Sequence, residues 1–330
     1  MGSAGIGALN MSPTVSIILP TFNRLQFLRD TVDSVLAQTH QDWELVVADD
    51  GSGGETLAYL AVLEQSSRVR VLRLPHSGNP SAVRNAALRE ARGQYIAFLD
   101  SDDIWMPDKL SAQLAAHAAC AGRRWSYTAL KRIDAAGAPM RDGQGTGWVP
   151  HEGAIFEQLL SIEAAVATPS VLVERALLQE AGGFDEQQRY FEDYDLWMRL
   201  SLLSDVIVIN TPLIKVRNHA QHYSADRVSV YQARFRLLDK IAGHAKTPRL
   251  RAVLRMERAK NAASLALVSA IAGRRVYALQ MLWRSRQCAW NSSAWWPKAG
   301  STFARVLAPS WLQEVVRKRR RRRRALAAAQ

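Results

Sequence analysis

At 330 residues and a formal charge of +13, the chain is long enough for one large α/β domain with an appendage, or for two modest domains. Its two cysteines, Cys120 and Cys288, exclude a disulfide scaffold and a thiolate zinc site and suit a reducing, cytoplasmic setting. No stretch approaches the roughly 18 apolar residues that cross a bilayer, and residues 1–13 carry no export signal and are expected to be a flexible tail.

The charge is unevenly spread. Residues 317–324 are eight consecutive Arg or Lys, and without them the balance falls to +5. Such a run repels itself, which predicts a disordered basic tail over residues 317–330.

In chain order, Val15, Ser16, Ile17, Ile18 and Leu19 form a short apolar run closed by Pro20, read as a buried strand. Leu25, Leu28, Val32, Val35 and Leu36 then share one helical face. A strand over 43–48 ends in Asp49-Asp50-Gly51-Ser52, and a helix (56–65), a strand (68–74) and a helix (81–91) lead to the strand 95–99. This alternation predicts a mainly parallel sheet flanked by helices, with ligands beyond the carboxyl ends of its strands. Three polar clusters follow strand ends there: residues 20–23, 49–52 and 100–103. They are expected to share one cleft.

Between 125 and 173 the pattern is a strand, a Gly-rich loop (137–147), a short helix and a strand. Glu192-Asp193 opens a helix carrying Leu196, Trp197 and Leu200, and the last strands are read at 206–209 and 213–216. Beyond residue 230 all spacing is helical, over 231–244, 250–273 and 276–289.

The acidic loop Asp100-Ser101-Asp102-Asp103 offers oxygen ligands to a hard cation such as Mg²⁺ or Mn²⁺, or is an acidic turn with Asp103 capping a helix. Asp49 and Asp50 are turn formers before Gly51, or acceptors for a nucleobase N–H. Arg84 is an exposed helical residue or a phosphate ligand; Glu192 and Asp193 cap a helix, or present a general base. His219 and His222 are surface histidines, or one is a metal ligand or phosphate contact.

Four segments in fixed order carry a resemblance. Residues 15–23 (VSIILPTFN), 34–39 (SVLAQT), 44–52 (ELVVADDGS) and 97–103 (AFLDSDD) resemble the inverting family 2 glycosyltransferases of bacterial type, supported by Arg84-Asn85, by Gly182-Gly183-Phe184-Asp185, and by Glu192-Asp193 with Trp197 and Arg199. The likeness covers residues 14 to 222 and implies a GT-A (Rossmann-like) domain, a mostly parallel mixed sheet flanked by helices, over 14–230. A helical C-terminal subdomain over 231–316 would follow it. It further implies a nucleotide-diphosphate sugar donor, with Pro20, Thr21, Phe22, Asn23, Asp50, Arg84 and Asp100 around the nucleotide. Asp102, Asp100 and His219 would be on a divalent cation, Mn²⁺ or Mg²⁺, and Asp193 would be the catalytic base.

The acceptor expected from the resemblance is a hydroxyl of a glycan or lipid-linked glycan of the cell envelope, with a polyprenyl phosphate as the alternative. Trp283, Trp290, Trp295, Trp296 and Trp311 among many Arg and Lys suggest a peripheral contact with the inner face of an anionic membrane, or a helical subdomain packed on the core. A non-catalytic nucleotide-sugar binder, or nucleic-acid binding through the Arg run, are the rival classes; the concentration of basic residues in the tail disfavours nucleic acid.

Overall fold

The apolar runs read as strands are buried on both faces. Val15, Ile17, Ile18 and Leu19 of β1 (Val15–Thr21) are fully buried, as are Leu45, Val46, Val47 and Ala48 of β2 (Trp43–Asp49). Continuous rather than alternating hydrophobicity is what a parallel strand covered on both sides requires. Ile17, Leu19, Leu45 and Val47 pack with Leu28, Val32 and Val35 of α1 (Leu25–Leu36) and Leu60 of α2 (Gly54–Leu63). On the next strands are β3 (Val69–Arg73) and β4 (Tyr95–Phe98), separated by α3 (Pro80–Glu90). Phe98 stacks edge-on with Phe184 at 5.4 Å and lies 5.9 Å from Trp197.

The computed structural model describes residues 12–140, 149–219, 226–286 and 295–307. The sheet continues through β5 (Ile104–Trp105), β6 (Trp125–Ile133), β7 (Leu172–Glu174) and β8 (Val206–Arg217), in the order β3-β2-β1-β4-β7-β6-β8-β5. β1 is parallel to β2 and β4, β2 to β3, and β6 to β8. The β4–β7, β6–β7 and β5–β8 pairs are antiparallel. The sheet is therefore mixed, as expected.

Two local expectations are corrected. The segment read as two last strands is one, β8, whose register against β6 shifts around Ala129. Asp103 caps no helix: it leads into β5, and its carboxylate accepts the Arg217 N–H at 2.8 Å. The helix it was expected to start, α4 (Lys109–Ala119), begins six residues later.

By compactness the chain divides into two units, Met1–Tyr223 and Ser224–Gln330. The first also holds α5 (Phe156–Ser161), α6 (Arg175–Glu180) and α7 (Glu192–Leu203). The second is helical: α8 (Arg227–Lys240), α9 (Pro248–Ile271), α10 (Arg275–Ser285) and α11 (Trp295–Leu307). Its core gathers Ala263, Leu265, Ala266, Met281, Leu282 and Trp295. Trp295 is thus a core residue, its indole N–H donated to Ser285 Oγ at 2.7 Å, whereas Trp283 and Trp296 are exposed. Trp290, Trp311, His222, the run 317–324 and most of the Gly-rich loop lie outside the described residues.

Candidate active site

A cleft of about 400 Å³ opens at the carboxyl ends of β1, β2 and β4, where the three strand-end clusters meet. Pro20, Thr21, Phe22, Asp50, Arg84, Asp100, Asp102 and Glu192 all line it. Asn23, between the lining residues Phe22 and Arg24 in the chain, adopts a left-handed backbone conformation (φ 47°), its side chain accepting the Gly53 N–H.

Asp50 is held by a loop that the sequence reading passed over. Its Oδ1 accepts from Ser77 N and Ser77 Oγ, both at 2.8 Å, and its Oδ2 from Gly78 N at 2.9 Å. His76 Nδ1 lies 3.0 Å from the same Oδ2, and the imidazole stacks on the Phe22 ring at 4.1 Å. The close turn needs Gly51: its φ is 82°, and a Cβ there would meet His76 N at 3.0 Å. The loop ends in Asn79-Pro80, which caps α3 with the Asn79 side chain accepting from Ser81 N.

Arg84 is buried in mid-helix and reaches across the cleft floor, donating to Asp100 Oδ1 at 2.7 Å and to Glu192 Oε1 at 3.4 Å. Burial works against its charge, but Asp100 and Glu192 more than offset this and raise its pKa. Asn85 beside it exchanges hydrogen bonds with the backbone of Phe184, which ties α3 to the segment before α7.

Glu192 and Asp193 open α7, whose N-cap, Phe191, adopts φ 60°. Burial, reinforced by the Asp193 charge, lifts Glu192 to about 7. Burial also raises Asp193, against the backbone hydrogen bond from Tyr194 N at 2.8 Å; Thr168 Oγ1 donates to its other oxygen at 3.4 Å. Glu192 lines the cleft and Asp193 adjoins it in the chain; adjacent carboxyls with raised pKa values beside a cleft are a signature of proton-transfer sites. The sequence put Glu192 beside the expected base but gave it no role of its own; its contact with Arg84, more than a hundred residues away in the chain, is what sets it in the cleft.

In the acidic loop, Asp102 Oδ2 is met by Arg24 Nη1 and by His219 Nε2, the latter at 2.9 Å. A carboxylate only accepts, so that ring nitrogen carries its hydrogen toward Asp102. Among the described residues no group of three or more His, Cys, Asp and Glu side chains is gathered for a metal. Two carboxylates still face the cleft on one loop, which suits a cation that takes one or two protein oxygens and completes its shell with water and phosphate. Asp100 and Asp102 fit such a cation; His219 is placed to orient Asp102. The first cause of the raised Asp103 pKa is burial, followed by the charges of Asp100 and Asp102, so the loop already concentrates negative charge.

The family described as Glycosyl transferase family 2 matches residues 16–124. An uncharacterized glycosyltransferase of Rickettsia felis is 32% identical over 203 residues, 62% of this chain and 33% of the relative. The Escherichia coli UDP-Glc:alpha-D-GlcNAc-diphosphoundecaprenol beta-1,3-glucosyltransferase WfgD is 44% identical over 102 residues, 31% of this chain and 40% of that protein. The match thus spans about a third of the length of the first curated relatives. Among solved structures, S. aureus TarS (residues 1–349) in complex with UDP-GlcNAc superposes with a TM-score of 0.59 at 16% identity, over 85% of this chain and 92% of that one. The mannosyltransferase PcManGT of Pyrobaculum calidifontis, in complex with GDP-Man and Mn²⁺, gives 0.58 at 17% identity, over 90% and 86%. At these identities the structural likeness establishes the GT-A fold.

Proposed function

We propose that this chain, whose residues 16–124 match the family described as Glycosyl transferase family 2, is a member of that family and an inverting transferase that moves a sugar from a nucleoside-diphosphate donor to a hydroxyl of a cell-envelope glycan. The observation that carries the reading is the convergence, in one cleft, of an aromatic shelf (Phe22), a strand-end carboxylate (Asp50), a buried Arg (Arg84), the Asp100–Asp102 pair and Glu192 at the start of α7, with Asp193 next to it in the chain. These are the parts a nucleotide, a diphosphate and a proton transfer each require.

In this reading the nucleobase stacks on Phe22 beside Pro20 and Thr21, with Asp50 facing its edge and Asn23 at the rim. Asp100 and Asp102 would hold Mn²⁺ or Mg²⁺, which when bound supplies Lewis-acid neutralisation of charge on the departing diphosphate. Arg84 fixes Asp100. Asp193 takes the proton of the acceptor hydroxyl as its oxygen attacks the anomeric carbon, and a single displacement inverts the configuration. Burial suits Asp193 to this task, because a raised pKa strengthens a carboxylate as a base.

Asp193→Asn should lower transfer by about 10²–10⁴-fold, the usual worth of a positioned base, with nucleotide binding retained. Transfer by that variant at the wild-type rate on the true acceptor would remove Asp193 from the role. The class itself is tested by thermal shift with nucleoside diphosphates, with and without Mn²⁺. Stabilisation by one of them that grows with the metal is expected, and none by any would sink the proposal.

A membrane-side acceptor is the second element of the reading. WfgD is named for a diphosphoundecaprenol-linked substrate, and in the helical unit Trp296, Phe303 and Leu307 form an exposed stripe along α11. Among the described residues no helix is long and apolar enough to cross a membrane. We therefore infer peripheral contact with an anionic bilayer, a lipid-linked glycan as acceptor, and a polyprenyl phosphate as the alternative one. Flotation with anionic liposomes tests the contact.

A further inference from the structure

The helical unit contains a cavity of its own. Between α8, α9 and α10 lies a groove of about 680 Å³, floored by Phe235, Ala262, Tyr277 and Met281. Four arginines, Arg236, Arg255, Arg258 and Arg284, line it, against the single acidic residue Asp239. Asp239 is ion-paired to Arg258; no carboxylate among the described residues pairs with Arg236, Arg255 or Arg284. The buried Arg258 Nε has no hydrogen-bond partner among the described residues. A second hollow of about 530 Å³ shares Arg255 and Arg258 and adds Lys246 and Arg251. Arg251, Arg255 and Arg258 fall at i, i+4 and i+7 of α9, so one helical stripe supplies cations to both hollows.

Unpaired like charges around a concavity cost stability through mutual repulsion, which is recovered when an anion binds. Guanidinium groups match phosphate oxygens with paired hydrogen bonds. The groove is several times larger than a phosphate, and its floor is apolar and aromatic, so its chemistry asks for a phosphate joined to an apolar body. The exposed stripe of α11 on the same unit favours a lipid as the source.

We propose that this groove is a binding site for the phosphate head of an anionic lipid, with the first carbons of the lipid seated on Phe235, Tyr277 and Met281. The site is separate from the cleft of the α/β unit and does not depend on the transferase reading.

The test uses the full chain and a soluble short-chain lipid, dihexanoyl phosphatidic acid, below its micelle concentration. Binding is read by calorimetry and by the methyl resonance of ¹³C-labelled Met281. The expected result is saturable binding that shifts Met281 and weakens by about tenfold or more in R236Q/R255Q/R284Q. It should be unaffected when residues 317–324 are all changed to Gln. Wild-type affinity in the triple variant, an unmoved Met281 methyl, or loss of binding with the tail alone would each overturn the proposal. Inorganic phosphate or uridine monophosphate binding as tightly as the lipid would overturn it too, making the groove a free-anion or nucleotide site. Because Met281 is read in the wild-type chain, the outcome does not hang on the folding of any variant.

Discussion

Glu192 shows what a few ångströms of placement do to a carboxyl. Burial and the adjacent Asp193 push it to about 7 while Arg84 pulls the other way. Its folded pKa lies above the unfolded one, so its protonated form favours the fold; that contribution is complete below pH 4 to 5 and is lost as pH rises through 7. Glu192→Gln, which cannot ionise, should therefore raise the melting temperature at pH 8 and change it little at pH 5. Equal differences at both pH values would show that Glu192 titrates normally. Lys109 is the converse. It is fully buried, with its ammonium 3.5 Å from the Val171 carbonyl and 3.9 Å from the centre of the Trp105 ring and no carboxylate paired to it among the described residues, and burial holds its pKa well below the usual value. Between its folded pKa and about 10.4 the unfolded chain binds the extra proton, so stability climbs with pH across that window. Lys109→Met should stabilise by about 1–3 kcal/mol near neutrality and abolish the climb, as denaturant titrations at pH 7 and 9.5 would reveal.

Elements were legible where one residue pattern has one structural solution. Leu45 to Ala48 had to be a covered strand because nothing polar breaks it, Val15 to Leu19 is broken only by the small Ser16, which is buried and donates to Glu44, and the chemistry that follows both had to gather at one edge of the sheet. What the sequence hid depends on partners far along the chain. β5 is two residues long and exists only because β8 pairs with it; Asp103 is spoken for by Arg217, more than a hundred positions away. The His76–Gly78 loop has no motif of its own, and its meaning comes from Asp50 beneath it. Gly93 is a similar case. It lies against β1, where an added Cβ would sit 2.4 Å from Ser16 N, and Ser16 Oγ accepts from its N–H at 2.8 Å. Gly93→Ala must push the chain off β1 and is expected to cost about 2–3 kcal/mol or more by chemical denaturation; a cost under about 0.5 kcal/mol, the range of neutral surface changes, would mean that the contact relaxes freely.

The molecule divides into two compact units and, as proposed, each takes its own ligand. Among the described residues the cluster around Ile17 and the cluster around Ala263 share no side chain, which predicts two transitions in scanning calorimetry rather than one. A nucleoside diphosphate with Mn²⁺ should move one of them, by about 2.7 kcal/mol at a hundredfold excess over Kd, and leave the other in place. One transition shifted as a whole would mean that the units melt as a single cooperative body.

The stack of His76 on Phe22, in the loop whose N–H groups hold Asp50, has a kinetic consequence. Without nucleotide, an imidazole and a run of backbone N–H groups already take the shelf and the carboxylate assigned to a nucleobase. Loading is then an exchange of partners, and its pace has a ceiling set by how often the loop lifts away. In stopped-flow mixing, the observed rate should level off as nucleotide concentration rises. His76→Ala should turn that plateau into a straight line.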